Sequence, residues 1–244
     1  MKRVLPIIGF SLILVVANCA RKRSSSQANT PNSSSADKSL SAAVDPARAR
    51  VFLEEGKEFY KKDEDQQAVE AFQKAINLDP RLAEAYFRLG LAHDALGEKH
   101  EAEEAYRKSI ETYKKLVSAN PKDAEAHYNL GQTYAGLHLY GEAVKEYRQA
   151  TRLKSDDPAI YFDLGSALTH LAQYDEAASA FQKCLDIEPD NYRAQDALDE
   201  AREGVKRIKT ARKYQEDQLK KQKEEEKKQG TTGSTTEKPK QPWR

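Results

Sequence analysis

Cysteines, histidines and paired carboxylates are the side chains that most often attack, move protons or hold metals. The chain has 244 residues, two cysteines and five histidines. His93, His100, His127, His138 and His170 show no metal-ligand spacing of the His-Glu-x-x-His kind. With cysteines at positions 19 and 184 alone, a disulfide framework and a cysteine-rich metal site are both excluded. Cys184 falls where related segments of the chain place Ala75, Ser109 and Ala150, so it reads as inert core rather than as a nucleophile. No glycine-rich phosphate loop is present, and the acidic residues are spread over helix surfaces. These residues form no catalytic constellation. The expectation is a protein that is not an enzyme, with no cofactor, no metal and no small-molecule substrate.

Composition narrows the class further. Charged residues make up 32%, hydrophobic ones 39%, and mean hydropathy is −0.84. Several apolar runs of about 20 residues, which a multi-span membrane protein needs, do not fit that balance. Twelve Tyr and seven Phe supply core material, against wholesale disorder. The net charge of +1 gives no reason to expect nucleic acid as a partner, but it hides a pattern. Residues 1–48 carry +5, residues 49–191 carry −9 and residues 192–244 carry +5.

The acidic middle repeats itself. Gly56, Gly90, Gly131 and Gly165 are spaced 34, 41 and 34 residues apart. Ala68, Ala102, Ala143 and Ala177 keep the same intervals, as do the aromatics Phe72, Tyr106, Tyr147 and Phe181. Small residues let paired helices approach closely, and rings fill the adjoining holes. One such unit cannot bury its apolar face alone, so stacking is obligatory. The pattern, clearest in Ala83-Glu84-Ala85-Tyr86-Phe87-Arg88-Leu89-Gly90 and closed by Pro80, Pro121 and Pro189, resembles the tetratricopeptide repeat (TPR). The resemblance covers residues 49–191 and implies four repeats, 49–82, 83–123, 124–157 and 158–191. It also implies an all-α fold, a right-handed superhelical solenoid of helix-turn-helix units. The second unit has seven extra residues, about two helical turns, or roughly 10 Å with little change of face. Ile110, Tyr113, Leu116 and Val117 continue its apolar stripe, so an extended second helix is expected. Residues 192–229 read as a capping and charged helix, with Ala194, Ala197, Leu198, Ala201, Val205 and Ile208 on one face, and 230–244 as a disordered tail.

The resemblance also implies where a ligand sits. Family members meet ligands through the first helix of each repeat, which here gives Leu53, Lys57 and Tyr60, then Phe87, Leu91 and Asp94. It gives Tyr128 and Gln132, with Asn129 beside them, and finally Phe162, Ser166 and His170. Leu53, Phe87, Tyr128 and Phe162 are expected to form an apolar ladder on the concave wall. The two-carboxylate clamp of the chaperone-tail-binding members is incomplete. Lys57, Arg88 and Asn129 suit it, but Leu53 offers nothing and Glu125 repels a carboxylate. With the repeats at −9, a basic or apolar peptide or helix is the expected partner, not an acidic one.

The N-terminus reads as an address. Lys2 and Arg3 precede a mostly apolar run, Val4 to Ala17, too short for a comfortable membrane span and suited to a secretory signal. It ends in Val16-Ala17-Asn18-Cys19, which resembles the lipobox of bacterial lipoproteins, with Asn18 departing from the usual small residue. The resemblance implies a signal peptide over 1–18, lipidation of Cys19 and a flexible linker over 19–48. The function expected is a protein–protein interaction scaffold of the bacterial cell envelope, lipid-anchored on the outer membrane and facing the periplasm. The alternative is a structural or oligomerisation module, or an accessory subunit of an envelope enzyme complex.

Overall fold

The computed structural model describes residues 44–232, and all regular structure among them is helical. The helices are α1 (Pro46–Lys61), α2 (Asp65–Leu78), α3 (Ala83–Leu96), α4 (Lys99–Ala119), α5 (Ala124–Gly136), α6 (Tyr140–Leu153), α7 (Pro158–His170), α8 (Tyr174–Ile187) and α9 (Tyr192–Thr232). They pair as α1/α2, α3/α4, α5/α6 and α7/α8, and α9 packs against α8 and α7. Each pair contacts its neighbours along the chain, which makes an all-α solenoid of paired helices with an additional C-terminal helix. The expected signal segment, Cys19, most of the linker and the tail beyond Thr232 lie outside the described residues.

Local chemistry sets the helix ends. Asp45, Asp123 and Asp157 cap α1, α5 and α7 by accepting from the backbone N–H groups of Arg48, Ala126 and Ala159. Pro46 and Pro158 sit in the first turn, where a missing N–H costs nothing. The Asp45-Pro46 start places α1 inside the stretch expected to be linker. Within each pair the turn passes through one left-handed residue: Asp63 (φ 59°), Gly97 (φ 77°), His138 (φ 57°) and Ala172 (φ 56°). One residue further on, the N–H of Glu64, Glu98, Leu139 and Gln173 donates to the carbonyl of Phe59, His93, Tyr134 and Leu168, at 2.9–3.0 Å. This is a helix-terminating Schellman pattern repeated at the intervals of the sequence repeat. Three of the four left-handed residues carry a Cβ, which costs about 1 kcal/mol or more where no glycine relieves it.

The glycine and aromatic repeats meet face to face. A Cβ on Gly56, Gly90, Gly131 or Gly165 would stand 2.5–2.7 Å from the ring of Phe72, Tyr106, Tyr147 or Phe181, so hydrogen is the substituent that fits. All four rings are buried, each worth roughly 1.5–3 kcal/mol of transfer free energy. The same device joins α9 to the array, with Gly204 against the Tyr174 ring. Ala194, Leu198 and Ala201 of α9 are buried. Past Val205 nearly every described side chain of α9 is exposed, as its charged sequence requires.

The long second helix is present: α4 has 21 residues where α2, α6 and α8 have 14. Its added turns bury Tyr113 and partly bury Val117 in the core of the next pairs, while Leu116 is exposed and stands off the stripe. The extension therefore ties the second pair to the third.

Candidate functional site

Side chains from the first helices of three successive pairs converge on a cavity of about 320 Å³. Phe87 and Leu91 come from α3, and Gln132, Ala135 and Gly136 from α5. Asp163, Ser166, Ala167 and His170 come from α7, and Tyr140 and Tyr147 of α6 close the side. Five of the residues nominated from sequence are thus brought together: Phe87, Leu91, Gln132, Ser166 and His170.

Two of its lining residues, Gln132 and Asp163, belong to a polar triad with Tyr128. The Tyr128 hydroxyl donates to Asp163 Oδ2 at 2.9 Å. Gln132 Nε2 donates to the same oxygen at 3.2 Å and to the Tyr128 oxygen at 2.9 Å. Burial pushes the Asp163 carboxyl above the usual carboxylate range, against the pull of those two donors. Burial, with Asp163 beside it, likewise pushes the Tyr128 hydroxyl well up, so it stays a donor. The rim is aromatic: the Tyr140 and His170 rings stack at 4.1 Å and are 4° from parallel, and His138 Nδ1 meets the Tyr140 hydroxyl at 2.9 Å.

The other nominated residues are placed differently. Leu53 is 3% exposed and Phe87 is 7% exposed, so neither stands free on the wall as the apolar ladder required. The reason is packing. Phe87 leans on Tyr106 (centroids 6.1 Å), Tyr128 on Tyr147 (5.9 Å) and Phe162 on Phe181 (5.6 Å). Each is the cover of a core ring, and Tyr128 and Phe162 keep one partly open edge. Lys57 is held by Glu84 at 2.6 Å and Glu54 at 2.9 Å. Tyr60 is partly buried, and Asp94 accepts from the Tyr106 hydroxyl at 2.6 Å. Asn129 lies beside the Tyr113 hydroxyl of the α4 extension. His93 and His127 pair with Glu98 and Glu146 at 2.6 and 2.7 Å and serve packing. Cys184 is buried as a free thiol.

Sequence reasoning missed Asp163, and with it Tyr140. A signal for Asp163 existed: it stands 34 residues after the nominated Asn129, in the same place of the next repeat. Among the described residues, no group of three His, Cys, Asp or Glu side chains is placed to hold a metal ion.

Models of the family described as TPR repeat match residues 56–97, 102–137 and 140–171. Models described as tetratricopeptide repeat match residues 83–116 and 158–191. Together the matches span more than half of the chain. No curated protein matches the sequence. Among solved structures, one of MamA protein is 23% identical, with a TM-score of 0.47, covering 79% of this chain and 98% of that one. A second MamA structure is 26% identical, with a TM-score of 0.46 and coverages of 70% and 96%. YrrB, described as a TPR protein with an unusual peptide-binding site, is 19% identical, with a TM-score of 0.35 and coverages of 61% and 91%. The placement expected from the N-terminal sequence, lipid-anchored on the outer membrane and facing the periplasm, is corrected by this comparison. The structures named above are of MamA and YrrB, and none is described as an outer-membrane lipoprotein. No helix among the described residues is long and apolar enough to cross a membrane.

Proposed function

The chain belongs to the tetratricopeptide repeat family, and from that premise we propose that it is a non-enzymatic scaffold with four repeats whose first-helix groove takes up a peptide or helix of a protein partner. A repeat array of this kind is a protein–protein interaction module. The observation that carries the finer reading is the cavity shared by α3, α5 and α7. It spans successive units on the side where an extended segment or a helix can lie along the array and drop a side chain into each opening. Its volume is at the lower end of small-ligand pockets, which begin at about 300 Å³, and suits one side chain of a longer ligand.

The test uses the full chain and a random-sequence peptide display library. Peptides that bind the wild type are synthesised with a fluorophore and titrated against two variants. Ser166→Arg fills the cavity from its wall and is expected to weaken binding at least about tenfold. Lys183→Glu, at an exposed position of α8, is expected to leave it unchanged. Equal binding to wild type and Ser166→Arg would remove the groove from the function.

A further inference from the structure

Among the described residues, the cavity presents acceptors and no lysine or arginine. Both hydrogen bonds to Asp163 fall on Oδ2. Every fully buried side-chain oxygen or nitrogen among the described residues has a hydrogen-bond partner. Asp163 Oδ1 receives none and is not fully buried, and Asp163 lines the cavity. Gln132 uses its Nε2 as donor toward Tyr128 and Asp163, which leaves Oε1 as an acceptor. Ser166 adds a hydroxyl on the same wall. Among the described residues Asp163 forms no ion pair. Arg193, the cation whose field reaches it, lies instead over the Phe162 ring at 4.9 Å. Asp157 is the other acid acting on it, and adds negative potential.

A carboxylate partly removed from water and left without a cation is a standing cost to the fold, and a ligand cation relieves it. The flat Tyr140–His170 stack on the rim suits a planar cation, because a guanidinium is weakly hydrated and stacks on aromatic faces where an ammonium does not. The −9 charge of residues 49–191 draws the same kind of partner.

From the unpartnered carboxylate oxygen, the flanking acceptors and the aromatic rim, we propose that this cavity is an arginine-recognition pocket. The guanidinium of an arginine on the partner peptide sits against Asp163 Oδ1 and is covered by the Tyr140–His170 rings. This deepens the groove reading above and rests on it.

The experiment takes an arginine-containing peptide from the display selection and a twin in which citrulline, neutral and nearly isosteric, replaces that arginine. Both are titrated against wild type, Asp163→Asn and Ser166→Arg. Wild type is expected to prefer arginine over citrulline by about tenfold or more, the worth of one charge-assisted hydrogen bond. Asp163→Asn is expected to lose that preference while binding the citrulline twin as wild type does. The wild-type comparison needs no variant, so poor folding of Asp163→Asn would not shelter the proposal. If wild type binds both twins equally, or Asp163→Asn keeps the preference while Ser166→Arg still abolishes binding, the arginine pocket is overturned and the groove reading stands. If no peptide binds, or Ser166→Arg binds like wild type, both fall together.

Discussion

The joint between α1 and α3 and the joint between α5 and α7 share one backbone plan and differ in what fills it. At the first, Lys57 bridges Glu84 of α3 and Glu54 of its own helix, and Arg88 lies 3.4 Å from Glu84. Cations and anions alternate and cancel. At the second, Tyr128 and Gln132 reach across to Asp163 with a hydroxyl and an amide, and no cation follows. One joint is closed by its own charges and the other is left half satisfied around a cavity. The lesson is that the repeat dictates the backbone, while the side chains that meet at each joint decide whether it is structural or receptive. Among them are Lys57 and Glu84 at one end and Gln132 and Asp163 at the other.

Four perturbations would break or sharpen this contrast. The largest is Tyr147→Ala, which removes the ring that both faces Gly131 and walls the cavity. It is expected to cost about 4 kcal/mol of stability and to erase the receptive joint, read by chemical denaturation. A loss under about 1 kcal/mol would mean that the cavity wall is not part of the core. Next is Ala172→Gly, at the left-handed turn of the pair that carries Asp163. Relief of its Cβ is expected to raise stability by about 1 kcal/mol, with peptide affinity unchanged. An affinity that moved with stability would mean that the openness of this joint comes from local softness rather than from side-chain choice.

Lys57→Met tests the closed joint. Its ion pairs are half exposed, so a loss of about 0.5 kcal/mol is expected, with no effect on peptides selected by wild type. Loss of peptide binding would extend the receptive region to the first pair. The smallest effect concerns Asp163 itself. Burial holds its carboxyl above the usual range, so the neutral form suits the fold better than the charged one. That favourable contribution is complete below the ordinary carboxylate pKa and is lost as pH rises through the raised value. Asp163→Asn, neutral throughout, is therefore expected to match or slightly exceed the wild-type Tm at neutral pH, and to lose any advantage in acid. A markedly lower Tm at neutral pH would make the carboxylate a structural group.

Much of the fold was legible because it is written in short-range spacing. Gly56 and Phe72, or Gly131 and Tyr147, recur at fixed intervals, and their contact is the core of each pair. The seven added residues of α4 were readable for the same reason. The left-handed turns were not, because Gly97 alone among the four carries the residue type that announces them. The site was half legible. Leu91, Gln132, Ser166 and His170 were nominated by repeat position and do line the cavity. Leu53 and Phe87 share an apolar place with Tyr128 and Phe162, and sequence does not reveal which of the four keeps an open edge. Asp163 escaped because its meaning is tertiary. It comes to line a cavity only when α5 sends Tyr128 and Gln132 over it and α6 supplies a wall.

The nearest-neighbour packing of the pairs has a mechanical side. Elements that touch only the next in line behave as springs in series, and the stack bends most at its softest joint. The α4 extension adds buried contact at the α4–α5 joint, and an ion pair crosses α1–α3. The Asp163 joint opens on a cavity and, among the described residues, is crossed by no ion pair to Asp163, so it is expected to be a compliant link. A ligand wedged there would change how far the array flexes as a whole, so occupancy at one joint would be felt as tension at both ends.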